Sequence, residues 1–416
     1  MNVELFAYPF LFAAIYFEVF LLVTFLSAPA KEVRKRAQST STPKVSIIVP
    51  CYNEEKTVGG TVESLLALNY PKEKLQIVLV NDGSTDNTAK VMNQYASHPQ
   101  ITVINQTNAG KHAALNAGIT ISADAELVGC LDADSFVEAD ALKEMLACFD
   151  NKKVAASTAA MSVHEPKNFL EHMQNAEYIM GIALRHILSV VNGIYVTPGP
   201  FSLYRREVVM ALGGFRNGHN TEDMEMALRI QKAGYIISSA PLARVFTKTP
   251  RSVPSLVKQR TRWTTGFLRN MLYDYRGLVG NPRYGALGLI VLPLGFFAII
   301  GGILLFGVAL YQLIQTAVMT YLRSVGVPLE YTVSSLVPNL SSFEWFYFPI
   351  TMFVLLVVIA ALGSILFVIV GKVVSKTPAT LGLGVFAYLL AYGLIAPFWL
   401  LRSVGDVLFN HRRAWR

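Results

Sequence analysis

Val128-Gly129-Cys130-Leu131-Asp132-Ala133-Asp134-Ser135 decides how this chain is read. An apolar run delivers two carboxylates, two residues apart, to the point where a buried strand should end. In an extended segment residues i and i+2 share a face, so Asp132 and Asp134 can both point at one cation. Two carboxylates do not fill the six-oxygen shell of Mg²⁺ or Mn²⁺, and the usual supplement is water and the phosphate oxygens of a nucleotide. The competing reading is an ordinary strand-to-loop turn, where Asp is frequent in any protein. The surrounding chain decides between them.

Four short, branched and nearly continuous apolar runs lie around this stretch, at Val45–Val49, Gln76–Val80, Ile101–Ile104 and Leu127–Leu131. They have the pattern of parallel strands buried on both faces. Helical patterns at Val58–Leu68, Thr85–Tyr95, Ala113–Ile119 and Ala139–Phe149 alternate with them. Such alternation predicts an α/β fold, a doubly wound, mostly parallel sheet that binds ligands at the carboxyl ends of its strands. Those ends read Pro50-Cys51-Tyr52-Asn53-Glu54, Asn81-Asp82-Gly83-Ser84-Thr85-Asp86 and Asp132-Ala133-Asp134, all polar and acidic. No Gly-x-Gly-x-x-Gly follows the first strand, which counts against a dinucleotide oxidoreductase.

The 416 residues give room for two or three domains, and a hydrophobic share of 53% is too high for an ordinary soluble chain. Leu5–Leu26 is apolar except for Glu18 and long enough to span a bilayer. It is too long for a signal peptide and lacks a basic n-region, and Lys31, Arg34, Lys35 and Arg36 follow it. Positive-inside logic puts that cluster in the cytoplasm and the N-terminus outside. Glu18 falls near mid-membrane, where a carboxylate is expected to face or brace a polar channel, or to bond another helix. Gln38–Lys44 reads as a linker. Leu287–Ile314, interrupted by Pro293 and Gly301-Gly302, and then Phe346–Val370 and Leu381–Leu401 are further spans. Four spans would leave the tail outside, yet His411–Arg416 is basic and prefers the cytoplasm. Either one span is re-entrant or Leu287–Val325 holds more than one pass. The net charge of +8 gathers beside apolar spans, so its partner is an anionic lipid bilayer and not nucleic acid. Three cysteines without ligand spacing fit a reduced cytosolic domain.

Five ordered motifs carry a family resemblance over roughly residues 44–275. Val45–Glu54, Val80–Asp86, Asn108-Ala-Gly-Lys111 with Ala114-Leu115-Asn116, and Asp132-Ala-Asp134 resemble family 2 glycosyltransferases of the GT-A fold. Thr221-Glu222-Asp223 and Gln259-Arg260-Thr261-Arg262-Trp263 resemble the TED and QxxRW motifs of its processive members, the cellulose, chitin, hyaluronan and poly-N-acetylglucosamine synthases. Thr247-Lys-Thr-Pro250 and Phe267-Leu-Arg269 look most like the hyaluronan and chitin type. The resemblance implies that Tyr52, Glu54 and Asp82 hold uridine, that Lys111 lies by the nucleotide, and that Asp132 and Asp134 form the donor and metal site. Tyr stacks, carboxylates accept hydrogens from uracil or ribose, and Lys meets phosphate as a point charge.

Asp223 is implied as the general base, with Thr221 and Glu222 beside it. The segment should open a helix running to about Ala233, capped by Asn220 or Thr221. A helix N-terminus favours acids whatever the function and lowers their pKa, so burial must offset the dipole if Asp223 is to act as a base. A single base opposite the leaving group implies inversion, turning an α-linked donor into a β-linked product. Gln259, Arg262 and Trp263 stand at i, i+3 and i+4 and share one helical face, with a fork for diphosphate and a flat surface for a sugar ring. The alternative is a plain interfacial amphipathic helix, and both can hold. Thr197-Pro-Gly-Pro-Phe-Ser202 sits in family terms at the acceptor, giving Gly199, Pro200 and Trp263 that contact.

The expected organisation is a transmembrane helix in 1–30, a basic linker in 31–44 and a GT-A domain in 45–250. Interface helices in 251–284, about three transmembrane helices in 285–405 and a basic tail in 406–416 complete it. The expected protein is an integral plasma (inner) membrane enzyme with its catalytic domain in the cytoplasm. It polymerises a UDP-sugar, N-acetylglucosamine alone or with a second sugar, onto a growing polysaccharide acceptor with Mg²⁺ or Mn²⁺, and exports the product. A monomer suffices for this, and an oligomer is compatible with it. The rival readings are single transfer to a lipid-linked acceptor and a transporter with a regulatory nucleotide-binding domain. Few charges in the spans and no internal repeat weigh against the transporter.

Overall fold

The computed structural model describes residues 3–27, 42–325, 351–378 and 381–411. The basic cluster Lys31–Arg36, most of the Gln38–Lys44 linker, the start of the Phe346 span and residues 412–416 of the basic tail lie outside the described residues.

Helix α1 (Tyr8–Ser27) leads into β1 (Val45–Cys51), α2 (Val58–Leu66), β2 (Leu75–Asp82), α3 (Thr88–Asn93), β3 (Ile101–Gln106) and α4 (Lys111–Ile121). Next come β4 (Leu127–Cys130), β5 (Ser135–Val137), α5 (Ala141–Leu146), β6 (Val154–Val163), α6 (Phe169–Val190), β7 (Ser202–Arg205) and α7 (Arg206–Ala211). Helix α8 (Glu222–Lys232), β8 (Ile236–Thr247) and α9 (Val253–Arg269) precede three long helices, α10 (Leu292–Ser324), α11 (Met352–Ser375) and α12 (Gly382–Leu408).

The eight strands form one sheet in the order β3-β2-β1-β4-β7-β6-β8-β5. Strands β1 to β4 are parallel, as their continuous apolar runs predict, and β7 turns antiparallel against β4, with Val128 opposite Tyr204. Strand β8 runs parallel to β6, and β5 closes the edge antiparallel to β8. Alternate residues feed two cores. Ile48, Val78, Val80 and Val128 pack with Ala114, Leu115 and Ile119 of α4, and Ile47, Val49, Ile77 and Leu79 pack with Val58, Val62 and Leu65 of α2. Gly118 lets α4 lie close on β1, since a Cβ there would stand 2.5 Å from an Ile48 methyl.

Several expected boundaries shift for local reasons. The Thr85–Tyr95 helix starts at Thr88, because the Asp86 carboxylate accepts from the Thr88 amide at 2.9 Å and holds the preceding residues in a turn. The Ala139–Phe149 helix is Ala141–Leu146 followed by a 3₁₀ turn over Ala147–Asp150. The span expected to break at Pro293 and Gly301-Gly302 is continuous to Ser324. Pro293 follows a π turn over Leu287–Val291, and the glycines receive Phe10 and Leu400 side chains.

Among the described residues four helices are long and apolar enough to cross a membrane: Tyr8–Ser27, Leu287–Ser324, Met352–Ser375 and Gly382–Leu408. Glu18 rests on Gly363 and bonds Ser364 of α11, which is the expected bond to another helix, and it is not among the residues that line the large cavity described below. The membrane helices dock on the sheet unit through α6, whose start is locked by a reciprocal capping box between Asn168 and Glu171. Gly371 of α11 and Gly384 of α12 bring their helices onto the Ile179 and His172 carbonyls of α6. A side chain at 371 would occupy the space of the Ile179 carbonyl, so Gly371→Leu should separate α11 from α6. Its thermal unfolding in detergent should fall clearly below wild type; an unchanged midpoint would mean that α6 and α11 are not held this way.

Candidate active site

The carboxyl ends of β1, β2 and β4 form one wall of a cavity of about 1100 Å³, and α8, α9 and the first turns of α10 form the other. All fourteen residues expected at the site line it: Tyr52, Glu54, Asp82, Lys111, Asp132, Asp134, Gly199, Pro200, Thr221, Glu222, Asp223, Gln259, Arg262 and Trp263.

The loops after β1 and β2 are tied to each other. Asn53, in the left-handed region at φ 56°, donates its amide to Ser84 Oγ and accepts from the Thr85 amide at 2.8 Å. Glu54 accepts from the Thr57 hydroxyl at 2.7 Å, and its amide donates to Thr88 Oγ1. Asp82 is buried, and its two oxygens accept from the Ala109 and Gly110 amides at 2.9 Å and from Gln106 at 2.7 Å. This carboxylate therefore also shapes the loop that delivers Lys111. Gly110 makes that turn at φ 90°, a conformation for which glycine is suited.

Lys111 opens α4 and reaches across the cavity. Its ammonium stands 2.6 Å from Asp132 and 3.0 Å from Glu222. Burial alone would lower its pKa, but Asp132, Glu222 and Asp223 hold it well above the usual lysine value. Gly199 packs on this pair, since a Cβ would come within 2.6 Å of Lys111 Nζ and 2.7 Å of Asp132. The expected acceptor segment therefore touches the expected donor segment directly.

Asp134 lies deeper, beside the hydroxyls of Ser135 at 3.2 Å and Thr247 at 3.4 Å. Burial first, then the charges of Asp132 and Glu54, raise its pKa to about 7. The two carboxylates make an all-oxygen donor set of the kind that suits Mg²⁺ or Mn²⁺. Among the described residues no third His, Cys, Asp or Glu completes a ligand cluster. The residues fit a divalent ion whose remaining ligands are water or phosphate oxygens.

Residues Gly218, His219 and Asn220 all have positive φ and bend the chain sharply into α8. Thr221 is the N-cap, but its hydroxyl donates back to the Gly218 carbonyl at 2.6 Å and does not cap the helix as expected. Glu222 is pushed up by burial and pulled down further by Lys111 and Arg262, and it ends below its ordinary value. Burial first, then the charge of Glu222, raise Asp223 to about 6 against the pull of Lys111 and Arg262. The offset that a base at a helix N-terminus requires is therefore present.

Helix α9 supplies Gln259, Arg262 and Trp263. Arg262 donates to the Asn220 carbonyl at 2.8 Å, which joins the two helices at the cavity. Arg260, which the spacing treats as filler, is buried, pairs with Glu177 at 2.8 Å and lies 4.1 Å over the Trp263 ring. Its guanidinium fixes the tilt of the indole. Asn270 is another residue that motif reading misses: it donates to the Gly218 carbonyl at 3.1 Å and to Thr221 Oγ1 at 3.2 Å. Helix α9 ends at Arg269, and a π turn over Asn270–Asp274 places this amide under the Thr221 segment. Only a polar residue just past a family motif marked it in the sequence.

A mixed sheet with paired carboxylates at its central strand end, facing a buried acidic helix start across a nucleotide-sized cavity, defines a GT-A-type glycosyltransferase. The chain belongs to glycosyltransferase like family 2, whose sequence profile matches residues 43–266. It is 31% identical over 243 residues to the poly-beta-1,6-N-acetyl-D-glucosamine synthase of Staphylococcus aureus, and 31% identical over 242 residues to that of Staphylococcus epidermidis. Each match covers 58% of this chain and 58% of the relative, so the chain spans under two thirds of the curated relatives' length. A mannosyltransferase from Pyrobaculum calidifontis, solved in complex with GDP-Man and Mn²⁺, shares the fold at a TM-score of 0.61 and 18% identity. That likeness covers 98% of this chain and 99% of the other, so it includes the long apolar helices.

Gly266 of α9 faces Thr221 so closely that a Cβ would fall among the Thr221 side-chain atoms. Gly266→Ala should therefore cost about 1–3 kcal/mol, as overpacking of a buried contact does. Denaturant unfolding in detergent checks this, and a midpoint equal to wild type would show that the two helices do not meet here.

Proposed function

We propose that this chain is a membrane-embedded, processive, inverting glycosyltransferase. It transfers N-acetylglucosamine, alone or with a second sugar, from a UDP-sugar to a growing β-linked polysaccharide and passes the product across the membrane. The observation that carries the reading is Asp223, a half-buried carboxyl with its pKa raised to about 6, on the wall of the cavity that also holds Asp132 and Asp134. The relatives' names supply the sugar, and the Gln259-Arg260-Thr261-Arg262-Trp263 segment supports processivity. The catalytic unit faces the cytoplasm of the plasma (inner) membrane.

In this reading Tyr52 stacks on the uracil, and Glu54 and Asp82 accept its hydrogens or those of the ribose. Asp132 and Asp134 hold Mg²⁺ or Mn²⁺, which, when bound, neutralises negative charge growing on the leaving diphosphate. Lys111, steered by Asp132 and Glu222, and the forked guanidinium of Arg262, with Gln259, face the same diphosphate. Trp263 offers a flat face to the terminal acceptor ring, with Gly199 and Pro200 beside it. The acceptor hydroxyl oxygen attacks the anomeric carbon, the bond to the diphosphate oxygen breaks, and UDP leaves with that electron pair. Asp223 takes the hydroxyl proton. Thr221 and Glu222 orient it, and the negative Glu222 keeps it basic. Attack opposite the leaving group inverts an α-linked donor to a β-linked product.

Asp223→Asn in the full-length protein tests this. It should bind UDP with near-wild-type affinity and lose turnover on the order of a hundredfold or more. Because the base works ionised and its pKa is raised, wild-type turnover should rise with pH through about 6 and flatten above it. Wild-type turnover in Asp223→Asn would place the base elsewhere.

A further inference from the structure

Arg185 is one of several cationic side chains of the cavity that the mechanism above does not use. Arg185 lies on α6, seven residues beyond Tyr178 and therefore about 10 Å further along the helix. It lines the cavity and folds back over Gly181, where a Cβ would stand 3.3 Å from Nη1. Its Nη2 is buried with no hydrogen-bond partner.

Five other arginines have partners for their Nη groups or charge, although Nε of Arg229 and of Arg260 is also buried without one. Arg229, Arg244 and Arg260 meet carboxylates at 2.6–2.8 Å, and Arg205 and Arg269 donate to backbone carbonyls. The ionisable groups that act on Arg185 are Tyr195 and Tyr178, and no carboxylate among the described residues pairs with it. Burial pulls its pKa down to about 10, as expected of a charge without a counterion. Leaving a guanidinium N–H buried and unmatched costs stability, so its retention points to a ligand oxygen.

The neighbourhood indicates which ligand. Tyr195 meets Phe267 at 5.9 Å, and Phe267 meets Phe296 of α10 at 5.4 Å, which makes an aromatic shelf. Thr261 and Thr265, one turn apart on α9, also line the cavity and carry buried hydroxyls without partners. Unmatched donors and hydroxyls beside ring faces are the chemistry that holds a saccharide. We propose that Arg185 and Tyr195, with Thr261 and Thr265, form a second glycan subsite. It is set back from the transfer point and holds a sugar unit already added to the chain through its hydroxyl and amide oxygens. This rests on the reading of the chain as a polysaccharide synthase.

The test uses the full-length protein in detergent with UDP-N-acetylglucosamine and β-linked N-acetylglucosamine acceptors of one and four units. Wild type should show a lower KM for the tetrasaccharide than for the single sugar. Arg185→Met should raise the tetrasaccharide-to-monosaccharide KM ratio by about tenfold, the value of one hydrogen bond of ordinary strength. Arg185→Lys should recover part of that change, and Tyr195→Phe should produce a smaller rise. Equal effects on both acceptors, or none on either, would overturn the subsite. Calorimetric binding of the tetrasaccharide, without donor, separates this from the functional reading. If wild type transfers nothing, the synthase reading fails, while tetrasaccharide binding that Arg185→Met weakens upholds the subsite. Equal binding by both proteins removes it.

Discussion

One ammonium group holds the candidate site together. Lys111 stands between Asp132, at the end of the central strand, and Glu222, at the start of α8. Those acids come from segments 90 residues apart, and with Asp134 and Asp223 they crowd four carboxyls into a largely buried volume. Burial first, and then the charge of the neighbouring acids, drives Asp134 and Asp223 up, while Lys111 and then Arg262 hold Glu222 down. The excess negative charge is a standing demand for a cation, and the all-oxygen pair Asp132 and Asp134 is suited to a divalent one. Gly199 matters for the same reason, because any side chain there would enter the space of the Lys111–Asp132 pair.

Around that bridge the membrane helices and the sheet share one wall. Helix α9 meets the Thr221 segment through Gly266, Asn270 and Arg262, and it meets α12 through Ser403, which donates to the Thr261 carbonyl at 3.2 Å. Arg269 donates to the Asp406 and His411 carbonyls beyond it. Helix α6 does the corresponding work on the other side, with glycines of α11 and α12 seated on its carbonyls and Glu177 reaching Arg260. A membrane helix therefore contacts the helix that carries Trp263, and that helix contacts the segment leading into Asp223.

Much of this was legible in the sequence, and the parts that were not have physical reasons. The first four strands declare themselves through Val, Ile and Leu runs, and acidic loops at their ends follow from the parallel arrangement. Strand β6 reads Val-Ala-Ala-Ser-Thr-Ala-Ala-Met-Ser-Val, and though buried along its whole length it is mostly Ala and Ser, with branched residues only at Val154, Thr158 and Val163. The antiparallel β7 is four residues long and follows turn formers, so its place beside β4 is a tertiary fact. Residues inside motifs could be picked out as candidates because spacing carries their chemistry, and they line one cavity. Arg260, Glu177 and Asn270 could not, because each acts through a partner distant in the chain, and Arg185 could not, because its lack of a partner is set by the fold. Gly301-Gly302 misled in the opposite direction: local propensity says break, and packing against α1 and α12 keeps the helix whole.

The central claim is that this one cavity repeatedly joins sugars from a nucleotide donor. The most direct measurement is the size of the product formed by the purified full-length protein from radiolabelled UDP-N-acetylglucosamine with Mg²⁺ or Mn²⁺. The account predicts a high-molecular-weight, β-linked product resolved on a gel, with UDP released in step. Product limited to one added sugar, or no UDP release from any UDP-sugar, would contradict it.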